Sequence, residues 1–130
     1  MFEMKDDYLT GIQMIDEEHS ELFRIAQEAY EIYQDDFITD KFDHIVDIID
    51  KLKEYAIKHF ADEEEYMESI QYKRMFSQKI EHAAFIDKIN EINFDDMDHN
   101  QTETLFEILQ FLSDWLVNHI LEKDKLIGTN

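Results

Sequence analysis

Proline and cysteine are missing from this 130-residue sequence, and glycine occurs only twice. An all-β domain needs far more turn-forming residues than that, so an all-α protein is expected. Without cysteine there is no disulfide framework and no thiolate metal site, which suits a reducing compartment. Basic residues are scarce as well: 12 Lys and Arg stand against 32 Asp and Glu, a formal net charge of -20. Such a surface repels phosphate backbones and anionic lipid headgroups, which argues against nucleic acid and membrane partners. No segment reaches the ~18 consecutive apolar residues of a membrane span, and the opening MFEMKDDYLTG lacks the apolar run of a leader. A soluble, cytoplasmic protein is the expectation.

What is present is a helical pattern. Hydrophobic residues make up 44% of the chain, enough for one modest core, and no linker or repeat divides residues 1–130. After a short extended arm, Asp16 is a candidate N-cap for a helix carrying Ile15, Leu22, Phe23, Ala26, Tyr30 and Tyr33 at helical spacing. A turn is expected at Gln34 to Thr39. The second helix repeats Phe42, Ile45, Ile49, Leu52 and Ala56 in steps of three and four, the pattern of a packed bundle seam. The third carries Met75, Phe85 and Ile89, and a polar break from Asn93 to Asn100 follows. Asn100 and Glu103 form a candidate capping pair for a fourth helix with Leu105, Ile108, Leu112 and Trp115. Four such helices with short connections predict an up-down-up-down antiparallel four-helix bundle with an extended N-terminal arm.

The seams do not stay apolar. Continued by the same steps, the second reaches His59 and Glu63, the third passes through Gln78 and His82, and the fourth reaches His119. His19 lies near the start of the first helix. In an antiparallel bundle these positions converge toward one end. Burying that many imidazoles and a carboxylate without partners costs several kcal/mol, whereas a divalent metal satisfies them together. Nitrogen-rich ligation disfavours magnesium and calcium and leaves iron, manganese or zinc open. No Glu-x-x-His pair occurs, which argues against the ferritin-like dimetal bundle. Asp62, Glu64 and Glu65 are rotated away from Glu63 and are expected on a solvated face; His44 and His99 are expected on the surface.

The stretches GIQMIDEEH (11–19), HFADEE (59–64), KIEHAAF (79–85) and WLVNHILEKD (115–124) resemble the successive motifs of the hemerythrin family, in particular single-domain bacteriohemerythrins. The arm is similar to the family's opening too, with Met4 where a Trp is usual. The resemblance implies a non-haem diiron centre, two Fe ions, that binds O2 reversibly. It implies that His19 and His59 ligate one iron, that His82 and His119 ligate the other, and that Glu63 and Asp124 bridge them. Asp124 is chosen on the family's His-x4-Asp spacing alone, because on an ideal helix it lies about 140° round from His119. One position departs from the pattern: Gln78 stands where the family has a His, and its neutral amide oxygen is a weaker iron donor than imidazole. That departure keeps two alternatives open. One is a diiron redox enzyme acting on peroxide, nitric oxide or ferrous iron; the other is a metal-depleted interaction module.

Overall fold

A computed structural model describes residues 2–92 and 94–128, apart from the side chain of Asp96. It is an all-α four-helix bundle, with α1 at Gln13–Gln34, α2 at Phe42–Ser69, α3 at Met75–Asn90 and α4 at Gln101–His119. No strand occurs among the described residues. The three-four steps of the sequence become one inward stripe per helix. Leu22 and Ala26, Ile45, Ile49, Leu52 and Ala56, Phe85 and Ile89, and Leu105 and Leu112 are all buried in one cluster. The third and fourth helices meet largely through rings: Phe85 packs against Phe111 at 5.4 Å and Trp115 at 4.6 Å between centroids. No described helix is long and apolar enough to cross a membrane.

The helix ends depart in detail from the sequence reading. Helix α1 starts three residues before Asp16, which therefore is not its N-cap. The Asp16 carboxylate instead reaches back from the first turn, accepting from Thr10 N and Thr10 Oγ1 at 2.8 Å and from Gly11 N at 3.1 Å. Asn100 does occupy the N-cap position of α4, but its side chain makes no cap hydrogen bond. The side chain that anchors this end is Gln101, which accepts from Lys41 N at 2.6 Å and donates to Asp40 Oδ1 at 3.0 Å across the bundle. Within the polar break a four-residue helical turn forms at Phe94–Met97, pinned by the fully buried Met97; Asn93 lies outside the described residues. The turn after α1 is closed by Lys41 Nζ, which donates to the carbonyls of Asp35 and Ile38.

Two features set the geometry of the site end. The N-terminal arm is extended except for a 3-10 turn at Asp6–Tyr8, and the Tyr8 ring stacks on Phe23 of α1 at 5.5 Å. At the other terminus, α4 runs on into a π-helical turn at Ile120–Asp124, in which the Lys125 N–H bonds back to the Ile120 carbonyl five residues earlier. A last helical turn, Lys125–Gly128, brings the chain against the arm. Gly128 sits so close there that an added Cβ would stand 1.9 Å from the Thr10 carbonyl oxygen, so only glycine fits.

Candidate metal centre

All of the polar seam residues are buried: His19, His59, Glu63, Gln78, His82, His119 and Asp124 are each at most 3% exposed. Glu63 is completely enclosed and sends its two oxygens in different directions. Its Oε2 lies 3.2 Å from His59 Nε2 and 3.5 Å from His19 Nε2, while its Oε1 lies 3.0 Å from His82 Nε2. Asp124 does the same from α4's extension: Oδ2 is 3.0 Å from His19 Nε2 and Oδ1 is 3.0 Å from His119 Nε2. Two four-residue donor sets result, His19, His59, Glu63, Asp124 and Glu63, His82, His119, Asp124, each with donor atoms within 4.8 Å of one another. They share both carboxylates.

Asp124 reaches this position because of the π turn. In α-helical geometry a residue five places after His119 points about 140° away, whereas an i to i+5 turn stacks the two on one face. The sequence contains no periodic signal for such a turn, since it is a local widening of the helix.

The polar atoms of the site converge without satisfying one another. His19 Nδ1 and Nε2, Glu63 Oε2, Gln78 Oε1, His119 Nε2 and Asp124 Oδ2 are buried and have no hydrogen-bond partner of acceptable geometry. Each such atom costs on the order of 1–3 kcal/mol if left alone. Imidazole nitrogens and carboxylate oxygens aimed at two common points are what a pair of divalent metal ions requires.

Outside the donor atoms, three glutamates orient three histidines. Glu18 Oε1 lies 2.9 Å from His59 Nδ1, Glu64 Oε2 lies 2.8 Å from His82 Nδ1, and Glu81 Oε1 lies 3.3 Å from His119 Nδ1. Each glutamate adjoins in sequence a site residue of its own helix and serves the histidine of the next, so the arrangement passes round the bundle from α1 to α2 to α3 to α4. A glutamate at Nδ1 fixes the tautomer that leaves Nε2 facing inward and makes that nitrogen more basic. Glu64 is thus not a plain member of a solvated face. Asp62 and Glu65 stay outside: Asp62 pairs with Lys58 at 3.0 Å and Glu65 is exposed. His44 and His99 are exposed. The readable signal for Glu18, Glu64 and Glu81 is an acid one step off a polar seam position, from which it reaches the neighbouring helix.

Burial of the glutamate ranks their importance. The side chain of Glu18 is 8% exposed, against 26% for Glu64 and 33% for Glu81. Glu18→Gln is expected to weaken metal binding by about 10- to 100-fold, and Glu81→Gln by less, as competition with a chelator would measure.

The electrostatics follow from the same contacts. Burial disfavours the charged form of His59, but the carboxylates of Glu18 and Glu63 against its two nitrogens outweigh that and raise it to about 9. Burial is likewise overcome at His19 and His119, chiefly by Asp124, so both are raised. Burial alone would raise Glu63; the surrounding His19, His59 and His82 hold it well below the ordinary range.

Gln78 closes the set from α3. Its Nε2 donates to Asp124 Oδ1 at 3.1 Å, leaving Oε1 as the unpartnered atom. Residues 10–129 match the family model described as the Hemerythrin HHE cation binding domain. The chain belongs to the hemerythrin family. It is 46% identical over 125 residues to a bacteriohemerythrin of Clostridium acetobutylicum, covering 96% of this chain and 97% of that one. A bacteriohemerythrin of Pseudomonas aeruginosa is 30% identical over 122 residues, covering 92% and 74% of the two chains. Hemerythrin subunit alpha of Lingula reevii is 28% identical over 123 residues, covering 95% and 89%. The 125 matched residues cover nearly the whole chain.

Proposed function

We propose that this hemerythrin-family chain holds two non-haem iron ions and binds O2 reversibly. The observation that carries the reading is the split of each bridging carboxylate: one oxygen of Glu63 and one of Asp124 face the His19 and His59 side, and the other oxygen of each faces His82 and His119. His19 and His59 would hold one iron, His82 and His119 the other, with Gln78 Oε1 as a further donor. A ferrous pair bound there supplies the electrons that reversible O2 binding borrows.

The protein's part is to fix and enclose. Glu18, Glu64 and Glu81 hold three imidazoles in the tautomer that presents Nε2. Phe60 stacks on the His82 ring at 4.0 Å and Trp115 on the His119 ring at 4.3 Å, so neither imidazole can turn without breaking ring packing. Phe23, Phe60, Phe85 and Leu116 are all buried, and Phe60 lies against the rings of both His59 and His82, an apolar wall that excludes water and slows loss of electrons to solvent. The buried unpartnered atoms argue against a metal-depleted interaction module, which would leave them uncompensated.

Metal analysis of protein made with iron supplementation is expected to give close to two irons per chain; a value near zero removes the diiron reading. Stopped-flow mixing of the reduced protein with O2 should then give a visible absorption band that disappears on deoxygenation. A band that forms and does not reverse would overturn reversible binding and favour turnover of O2 or peroxide, the reading that the incomplete donor set at Gln78 supports.

Iron uptake should also release protons. Bound imidazole must be neutral, and His59, raised to about 9 in the metal-free protein, is protonated at pH 7. Its protonated form stabilises the metal-free fold fully below its usual 6.5, and that contribution is lost as pH rises from there through about 9. Apparent iron affinity is therefore expected to rise about tenfold per pH unit for each proton displaced and to flatten above pH 9. Calorimetric titration in buffers of different ionisation enthalpy counts these protons.

A further inference from the structure

The sequence from Ser69 to Ile80, SIQYKRMFSQKI, holds Lys73, Arg74 and Lys79 and no acid, in a chain with 32 acidic residues. It forms the α2–α3 connection and the start of α3. A Schellman-type end makes that connection: Gln71 takes a positive φ of 53°, Gln71 N bonds to Glu68 O, and Tyr72 N bonds to Met67 O. Lys73, Arg74 and Lys79 are exposed, and none has a carboxylate within 4.0 Å among the described residues. Elsewhere Arg24, Lys51 and Lys58 are each paired with an acid.

These cations flank two apolar side chains that face solvent. Phe76 is 76% and Ile80 55% exposed, and a spacing of four puts them on one face of α3. Phe37, also exposed, stands instead in a turn with Asp35, Asp36 and Asp40. Apolar anchors with unpaired charge at their rim have the composition of a protein interface. The face also lies over the metal centre. Gln78 sits between Phe76 and Ile80 in sequence but on the buried side of the helix, where its Nε2 donates to Asp124 Oδ1 at 3.1 Å. One helix, about 10 Å across with its side chains, separates a molecule docked there from the donor atoms.

We propose that this face docks a small acidic one-electron carrier protein that returns the ferric centre to the ferrous state. The proposal rests on the diiron reading: O2 that leaves with electrons leaves ferric ions behind, and the buried ligands give a protein-bound reductant no direct contact. Each encounter passes one electron from the carrier to one ferric ion, so two encounters restore the pair and each carrier leaves oxidised by one electron. Charge selects the partner. Lys73, Arg74 and Lys79 attract an acidic surface, while acids resume at Glu68 and Glu81 and the net charge of -20 repels any polyanion too extended to stay within the face, such as a duplex or an anionic bilayer. A compact carrier fits, since transient redox contacts bury less than about 1,200 Å².

The test uses a reduced ferredoxin carrying two iron–sulfur clusters, itself acidic, mixed without O2 at low ionic strength with the oxidised, iron-loaded protein, and iron is measured on the same samples. Calorimetry should show saturable binding, and stopped-flow absorption a reduction rate that saturates with ferredoxin and falls as salt is raised. Lys73→Glu with Lys79→Glu, and separately Phe76→Ser with Ile80→Ser, should weaken binding and lower the second-order rate at least about tenfold. Lys5→Glu with Lys53→Glu, on the arm and the middle of α2, changes the net charge equally and should lower neither by more than about twofold. Equal losses in the two charge-reversed proteins overturn the docking face in favour of overall repulsion. Two irons per chain with no saturable ferredoxin binding overturn it too, as does binding to phosphatidylglycerol vesicles that the face substitutions abolish while ferredoxin reduction is unaffected. Iron near zero overturns the diiron reading and, with it, the electron-donor role.

Discussion

Glu63→Gln is expected to empty the centre, taking iron from about two per chain to nearly none, because Glu63 by itself reaches within 3.5 Å of three of the four imidazoles, those of His19, His59 and His82. The substitution keeps shape and removes charge, so its effect on the metal-free protein is informative as well. Glu63 is completely buried beside histidines, of which His59 is raised to about 9 by Glu18 and Glu63 against the effect of burial. The substitution leaves the buried His59 cation with Glu18 alone, so its cost is expected to reach at most the about 3–5 kcal/mol of losing a whole buried partner. For a chain of this size that upper limit is a fall in Tm of about 10–20 °C. The sign with pH is fixed by the raised histidine: the deficit is largest below about pH 6.5 and shrinks as pH rises through about 9 and His59 loses its proton. Urea unfolding of metal-free protein at pH 7 and pH 10 compares the two. A deficit equal at both values would mean that Glu63 acts by packing and not by charge.

The bundle was legible in the sequence because a helix packed on one side repeats its apolar residues every three or four places, and α1 to α4 obey that rule over long stretches. The same rule found His59, Glu63, Gln78, His82 and His119, since a side chain aimed at a buried metal occupies the inward stripe as a leucine would. It failed at Asp124 for a physical reason. A π turn changes the number of residues per turn over five positions, and only the family spacing pointed to that residue. It also misread Glu64, whose place one step off the seam reads as solvated in an isolated helix but faces His82 in a bundle. Asp16 has the composition of an N-cap and a different use. Its carboxylate gathers the N–H groups of Thr10 and Gly11, and Thr10 is the residue against which Gly128 packs. The acid thereby helps to hold the turn that carries Asp124.

Gln78→His should have the opposite effect to loss of Glu63: slower loss of iron. Residues 78 and 82 are one turn apart on the same face of α3, both buried, and the position needs no new path into the site. An amide offers one neutral oxygen, and here its nitrogen is already engaged with Asp124 Oδ1 at 3.1 Å. Imidazole is the stronger donor to iron, and its second ring nitrogen keeps an N–H available for a neighbouring acceptor. Extraction of iron by a chelator is expected to slow at least about tenfold, the lower end of what adjusting a ligand's surroundings alone achieves. Unchanged extraction would show that Gln78 already binds iron through Oε1 as firmly as an imidazole does. Faster extraction would show that the Gln78 to Asp124 hydrogen bond, and not a ligand at this position, is what the centre needs from α3.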